Sequence, residues 1–92
     1  MKNIIASNHF LKFKKKSPKK LQLEIDNEVN NIINNPEIGE LKKGDLKVIR
    51  VHKFKFRAQL YLLSYEVKEN TLFLYLIDTH ENYYKQLKRY LS

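Results

Sequence analysis

The apolar residues of this chain follow two periods, and the change between them separates a helical first part from a stranded second part. Between residues 21 and 33 they recur every three or four positions, at Leu21, Ile25, Val29, Ile32 and Ile33. This spacing predicts an amphipathic helix. Ser17-Pro18 predicts its start, with the serine as N-cap and the proline as the first helical residue. Pro36 predicts its end at Asn34-Asn35, because the residue before a proline avoids helical geometry.

Two short elements are expected before this helix. Asn3–Ser7 is predicted to be a strand, and Ser7 or Asn8 can cap a short helix that carries Phe10 and Phe13. The lysine-rich segment 14–20 has two interpretations, a solvated loop between helices or a loop that contacts phosphate groups.

The second part of the chain has the composition of a sheet. Lys47–Phe56 is rich in Val, Ile and Phe, but its alternation changes parity between Val51 and Phe54. That change predicts a bulge or a turn near His52-Lys53. The preceding segment, Glu37–Asp45, holds both glycines and is predicted to be a loop.

The two clearest strands are Gln59–Val67 and Thr71–Thr79, joined by a hairpin at Lys68-Glu69-Asn70. Alternation in the second places Leu72, Leu74 and Leu76 on one face. Both strands are apolar on both faces, as in central strands that helices cover. Asp78 or Thr79 is predicted to cap a final helix. The elements predict one α+β domain over residues 1–92, with N-terminal helices packed on a twisted antiparallel sheet of about four strands and a short C-terminal helix.

Charge adds a class of partner to this fold. Eighteen Lys and Arg against ten Asp and Glu give a net charge of +8, which predicts binding to polyanions. Residues 21–41 contain no Lys or Arg, so the long helix is expected to pack on the sheet and not to contact nucleic acid. The absence of cysteine excludes disulfides and thiolate metal sites. We find no signal-peptide pattern and no apolar run near the roughly 20 residues of a membrane helix, and we expect a cytoplasmic protein.

Candidate chemistry concentrates in the basic stretch Lys47–Arg57 and in the final helix. Together they suit RNA cleavage without metal, in which a base activates the ribose 2′-hydroxyl and an acid protonates the leaving 5′-oxygen. His80 can be the acid or the base, and Lys53 or Lys55 can be the base if desolvation favours its uncharged form. The predicted catalytic set is His80, Tyr84, Lys53, Lys55 and Arg50. The predicted RNA-binding set is His52, Arg57, Lys47, Tyr83 and Lys43.

Each candidate also has a structural interpretation. Tyr83 or Tyr84 can pack the helix on the sheet, and His80 can be no more than a helix N-terminal residue. The lysines of the first long strand can be a solvated edge that discourages aggregation. Arg50 can pair with an acidic residue of the long helix.

Several segments resemble a known family. The segments Asn35–Glu40, Lys43-Gly44-Asp45-Leu46, Arg50–Phe54 and Tyr61–Tyr65, and above all the closing HENYYKQLKRYL of His80–Leu91, are similar to the RelE/ParE superfamily of bacterial type II toxins. The resemblance covers nearly the whole chain.

The resemblance implies a small basic toxin that a cognate antitoxin wraps and neutralises. RelE-like members cleave mRNA in the ribosomal A site, and ParE-like members poison DNA gyrase. By position, Arg50, His52, Lys53 and Lys55 match the family's basic strand, and His80 and Tyr84 match the residues of its last helix. RelE-type ribonucleases usually carry an arginine where this chain has Leu62.

Three functions follow as hypotheses. The first is a toxin that is an endoribonuclease without metal or cofactor, whose partners are mRNA, the ribosome and an acidic antitoxin in a hetero-oligomer. The second is a ParE-like inhibitor of DNA gyrase. The third is a catalytically degenerate toxin module that binds nucleic acid.

Overall fold

A computed structural model describes residues 3–43 and 48–91 of the chain. Within these residues, the helices and strands follow in the order β1 (Asn3–Ala6), α1 (Asn8–Lys16), α2 (Lys19–Asn34), β2 (Glu40–Lys43), β3 (Val48–Phe56), β4 (Gln59–Lys68), β5 (Thr71–Thr79) and α3 (His80–Leu91). The predicted α+β class is confirmed. None of the described helices is long and apolar enough to cross a membrane.

The strands form one sheet in the order β1-β5-β4-β3-β2. β1 is parallel to β5, and the other neighbours are antiparallel, so the sheet has five strands where about four were expected. The additional strand is β2, which lies in the segment predicted to be a loop. It is a four-residue edge strand with two lysines and a glutamate, and only its pairing with β3 identifies it.

The start of α2 differs from the prediction. Ser17 closes α1, because its hydroxyl donates to the carbonyl of Phe13 at 2.7 Å and its N–H donates to the carbonyl of Lys14 at 3.1 Å. Pro18 is therefore the N-cap residue of α2, and no side chain caps that helix. At the start of α1 the predicted cap is confirmed, since the Ser7 hydroxyl accepts from the N–H of Phe10 at 3.1 Å.

The predicted irregularity in β3 is wrong. Its register with β4 is continuous from Arg50 to Phe56. The apolar parity changes because β3 is buried on both faces, through Val51 on one and Phe54 on the other. The irregularity lies instead between β4 and β5, where Ser64 pairs with Leu76 but Tyr65 pairs with Leu74.

The sheet irregularity moves side chains between faces. Leu74 and Ile77 both join the larger core, whereas Leu76 joins the smaller one. The predicted grouping of Leu76 with Leu72 and Leu74 is therefore wrong. An extra residue in one of two paired strands reverses the alternation beyond it, and the sequence alone does not mark where this occurs.

Two hydrophobic cores define the two faces of the sheet. On the helical face, α1 and α2 cover the strands with Phe10, Leu21, Ile25 and Ile32. On the opposite face, which we call the α3 face, Tyr83 packs against Val51, Leu62 and Leu76. The α3 face is the surface on which the predicted candidates of β3 and α3 can meet.

Candidate functional site

The last strand delivers α3 directly to the sheet. The hydroxyl of Thr79 accepts from the N–H of Asn82 at 3.3 Å, and Asp78 accepts from the N–H of Thr79 at 2.7 Å. Thr79 is thus the N-cap, one of the two alternatives that the sequence left open. The helix then packs across β5 and β4 through Tyr83, and His80 lies at its exposed first position.

His80 and Tyr84 form an exposed aromatic pair on α3. Their ring centroids lie 5.7 Å apart with the planes nearly perpendicular, at 83°. Tyr84 is 52% exposed, whereas Tyr83 is only 1% exposed. Burial raises the pKa of the Tyr83 phenol. Tyr83 is therefore a packing residue, and Tyr84 is the tyrosine that a ligand can reach.

Lys53 and Lys55 project from β3 on the same face. Both are exposed, and register places Lys53 beside Leu62, which in turn lies beside Asp78. Two strand spacings amount to about 10 Å between the backbones of Lys53 and Asp78. Lys55 pairs with Leu60. The next residue of β4, Tyr61, pairs with Thr79 at the end of β5, so Lys55 lies level with the start of α3. Lys53 and Lys55 therefore lie on the same face of the sheet as α3 and His80.

Two further charged residues belong to this surface, and sequence reasoning missed both. Lys42 and Glu40 of β2 form an ion pair at 2.9 Å, and register places them beside Ile49 and Val51 on the α3 face. The hydrogen bond and charge of Lys42 lower the pKa of Glu40, and Glu40 raises the pKa of Lys42. The phenols of Tyr84 and Tyr83 also raise the pKa of Lys42, though by less than Glu40 does. Sequence reasoning missed them because β2 was predicted to be a loop, and the residues of a loop cannot be assigned to a face of the sheet.

Arg50 and His52 point away from this cluster. They occupy alternate positions of β3 and lie on the helical face. The guanidinium of Arg50 donates to the carbonyl of Gly39 at 2.9 Å, and the imidazole of His52 donates to the carboxylate of Glu28 at 2.7 Å. His52 is only 8% exposed. The structure therefore does not bring Arg50 or His52 together with His80, because β3 alternates between the two faces.

Three residues of the predicted RNA-binding set remain, namely Arg57, Lys47 and Lys43. Arg57 lies at the tip of the β3–β4 hairpin with its guanidinium carbon 5.4 Å from the ring centroid of Phe56. Lys47 and the side chain of Lys43 lie outside the described residues. We define the α3-face cluster by the exposed residues that the structure does assemble, namely His80, Tyr84, Lys53, Lys55, Lys42 and Glu40.

A buried leucine occupies the position at which RelE-type ribonucleases usually carry an arginine. Leu62 has no exposed surface and lies in the core beneath Tyr83. Positive charge on the α3 face therefore comes from the lysines around that core. Among the described residues, no group of three histidines or acidic residues is arranged to hold a metal ion.

Comparison with known proteins agrees with this fold. A solved structure described as the intact E. coli RelBE toxin–antitoxin complex contains a chain that matches with a TM-score of 0.64 at 18% identity, over 82% of this chain and 92% of that one. A comparison with curated protein sequences finds no match. A family sequence model described as "ParE-like toxin of type II bacterial toxin-antitoxin system" matches residues 4–88. The chain therefore belongs to the ParE-like toxin family of type II bacterial toxin–antitoxin systems.

Proposed function

We propose that this toxin is a metal-independent endoribonuclease that cleaves mRNA, on the ribosome, and that a cognate antitoxin neutralises it. The observation that carries the proposal is the exposed His80, in ring contact with Tyr84 at the start of α3, beside the row of Lys55 on the same face of the sheet. These are groups that can exchange a proton and neutralise a phosphate, and all of them are accessible from one side.

The cleavage step needs a base, an acid and positive charge. The base removes the proton from the ribose 2′-hydroxyl, whose oxygen attacks the adjacent phosphorus. The bond from phosphorus to the 5′-oxygen then breaks, and the acid protonates that oxygen. We assign His80 to the acid, because its first-turn position leaves the ring exposed. We assign Lys53 or Lys55 to the base, because bound RNA would exclude water from the exposed amine and favour its uncharged form.

The other members of the cluster position the substrate. Tyr84 presents an exposed ring on which a base can stack, as single-stranded RNA commonly stacks on aromatic side chains. Lys42 and the second strand lysine supply charge to the phosphoryl oxygens as the transition state forms. Arg50 has no place in this step, because it is engaged with Gly39 on the helical face.

The antitoxin is expected to cover this surface. The RelBE structure is that of a toxin bound to its antitoxin, and this chain has a charge of +8. An acidic antitoxin would complement that charge and accelerate association. Covering the α3-face cluster would exclude RNA.

A second candidate is inhibition of DNA gyrase by binding. It is favoured by the buried Leu62, which leaves the α3 face without the arginine usual in RelE-type ribonucleases, and by the ParE-like family model. An inhibitor that only binds would need no proton transfer by His80.

The experiment that separates the candidates is induction of the wild type and of His80→Ala in a growth assay, with primer extension on cellular mRNA. A ribonuclease that uses His80 would arrest growth and create new mRNA ends, and both effects would disappear in the variant. Asn82→Ala, an exposed side chain on the same helix, is the matched control and should behave as wild type. Growth arrest that persists in His80→Ala without new mRNA ends would contradict the ribonuclease and favour gyrase.

A further inference from the structure

A cleft on the helical face of the sheet carries positive charge that the α3-face cluster does not use. It has a volume of about 370 Å³ and lies between the first turn of α2 and the β3–β4 hairpin. Its exposed cations are Lys19, Lys20 and Arg57, and its apolar lining includes Leu21, Phe56 and Tyr61. None of the residues lining it is acidic, so the cleft suits an anion with an apolar or aromatic neighbour.

The position of Arg57 is conformationally demanding. Arg57 and Ala58 form the two-residue turn between β3 and β4, with φ angles of 51° and 64°. Such turns favour asparagine and glycine, because side chains are strained at positive φ. Here the turn holds an arginine above the ring of Phe56. The turn thereby fixes a cation at the entrance of the cleft.

The stability of the fold does not explain the two lysines at the start of α2. The first turn of α2 has no acidic residue, and its N-cap Pro18 offers no side-chain hydrogen bond. Cations at this end of a helix are repelled by the helix dipole, so Lys19 and Lys20 do not favour the helix. Lys14, from the same lysine-rich segment, differs because it forms an ion pair with Asp26. An anion in the cleft would compensate the charge of Lys19 and Lys20.

We propose that this cleft is a second RNA-binding site, in which Lys19, Lys20 and Arg57 hold backbone phosphate and the aromatic floor contacts an adjoining nucleotide. Lys53, Lys55 and Arg57 follow one another along β3 to the hairpin tip. Positive charge therefore continues from the α3-face cluster round the tip to the cleft. The choice of RNA as the ligand rests on the proposed function, but the site itself takes no part in cleavage.

The test measures RNA binding as a function of salt, in a His80→Ala background so that the proposed cleavage does not consume the probe. The probe is a short fluorescent single-stranded RNA, and the logarithm of the association constant is plotted against the logarithm of salt concentration. Each lost phosphate contact lowers the magnitude of the slope by about 0.7 for a single strand. We expect Lys19→Ala/Lys20→Ala/Arg57→Ala to lower it by about 2.

Lys68→Ala is the matched control, because Lys68 is an exposed cation beside the other two-residue hairpin turn, between β4 and β5. Its slope should equal that of the parent. An unchanged slope in the triple variant, or an equal loss in Lys68→Ala, would overturn the proposal. A RNA hairpin serves as a second probe. If the triple variant changes the slope only for the single strand, the cleft binds the phosphates of an extended strand. If it changes the slope only for the hairpin, the cleft binds folded RNA.

The cleft and the proposed ribonuclease can fail separately. If the wild type does not cleave RNA but the slope depends on the cleft, only the ribonuclease is wrong. If the wild type cleaves RNA and the triple variant keeps the parent slope, only the cleft is wrong. An acidic peptide is the competing occupant. Loss of binding to such a peptide in the triple variant, with an unchanged RNA slope, would assign the cleft to a protein partner and reject our proposal.

Discussion

The imidazole of His52 donates a hydrogen bond to the carboxylate of Glu28 at 2.7 Å, which joins β3 to α2 in the partly buried layer between the sheet and the helices. Burial disfavours the charged carboxylate, but hydrogen bonds with Glu24, His52 and Asn31 prevail and lower the pKa of Glu28. The pKa of Glu24, whose carboxyl shares the hydrogen bond with Glu28, is raised. This pair explains why a histidine inside a basic stretch is unavailable to RNA.

Glu28→Ala should therefore destabilise the fold. It leaves the nearly buried imidazole of His52 without its acceptor, a change that typically costs about 1–3 kcal/mol. Because the folded-state pKa of Glu28 lies below 4.5, its contribution is present at neutral pH and is lost as the pH falls through that pKa. Urea unfolding of both proteins in a series of solutions from pH 7 to acid pH measures the difference. A difference that stayed constant over the whole series would contradict this account.

The control for Glu28→Ala is Glu37→Ala. Glu37 is an exposed acidic residue outside α2, so this substitution should change stability by less than about 0.5 kcal/mol at pH 7.

Gly39→Ala should destabilise the protein because the added Cβ would lie too close to the side chain of Tyr65. A Cβ at this position would lie 2.8 Å from Cε1 and 2.9 Å from the hydroxyl of Tyr65, a fully buried residue. That hydroxyl accepts from the N–H of Gly39 at 2.9 Å and donates to the carbonyl of Pro36 at 2.8 Å. Overpacking of this kind costs about 1–3 kcal/mol, or a fall in Tm of roughly 4–8 °C per kcal/mol.

Tyr65→Phe separates the clash from the hydrogen bonds. It keeps the ring and removes the hydroxyl, so we expect a smaller loss, of about 1 kcal/mol. Thermal unfolding of both variants measures the order. If Gly39→Ala were as stable as the wild type, the close approach of Gly39 to Tyr65 would be wrong.

Ala58→Gly should stabilise the protein. Ala58 has a φ of 64° in the turn between β3 and β4, and glycine adopts that conformation without the steric cost that a Cβ incurs. We expect a gain of about 0.5–1 kcal/mol in the free energy of unfolding, with Arg57 and its charge untouched. Ala6→Gly, in the extended strand β1, is the control and should lose stability. Denaturant unfolding that ranked the two variants in the reverse order would contradict the turn geometry.

Lys55→Glu should weaken the antitoxin complex, if the antitoxin covers the α3-face cluster as we propose. The substitution replaces an exposed cation on that face, so we expect the dissociation constant to rise steeply at low salt and the effect to shrink at high salt. Lys68→Glu makes the same charge change at the β4–β5 hairpin and should have a much smaller effect. Calorimetric titration at two salt concentrations measures both. An effect of Lys55→Glu that did not change with salt would contradict electrostatic docking on this face.

The sequence by itself determined the elements and the class of surface. Helical spacing from Leu21 to Ile33 and alternation in β4 and β5 identified the layers, because burial on one or both faces leaves a periodic pattern. The basic composition and the closing segment indicated a toxin that meets a polyanion. Local rules and composition were enough for the elements and the charge, whereas the toxin was implied by the resemblance of the closing segment to a known family.

The tertiary structure decided which side chains share a face. β2 has a weak pattern of its own and becomes a strand by pairing with β3, which brings Lys42 beside the α3 face. The irregularity between β4 and β5 reverses the alternation before Ile77. Alternation in β3 sends Arg50 and His52 to the helical face, and Lys53 and Lys55 to the face of His80. These relationships depend on register between distant segments, which one strand's own sequence does not encode.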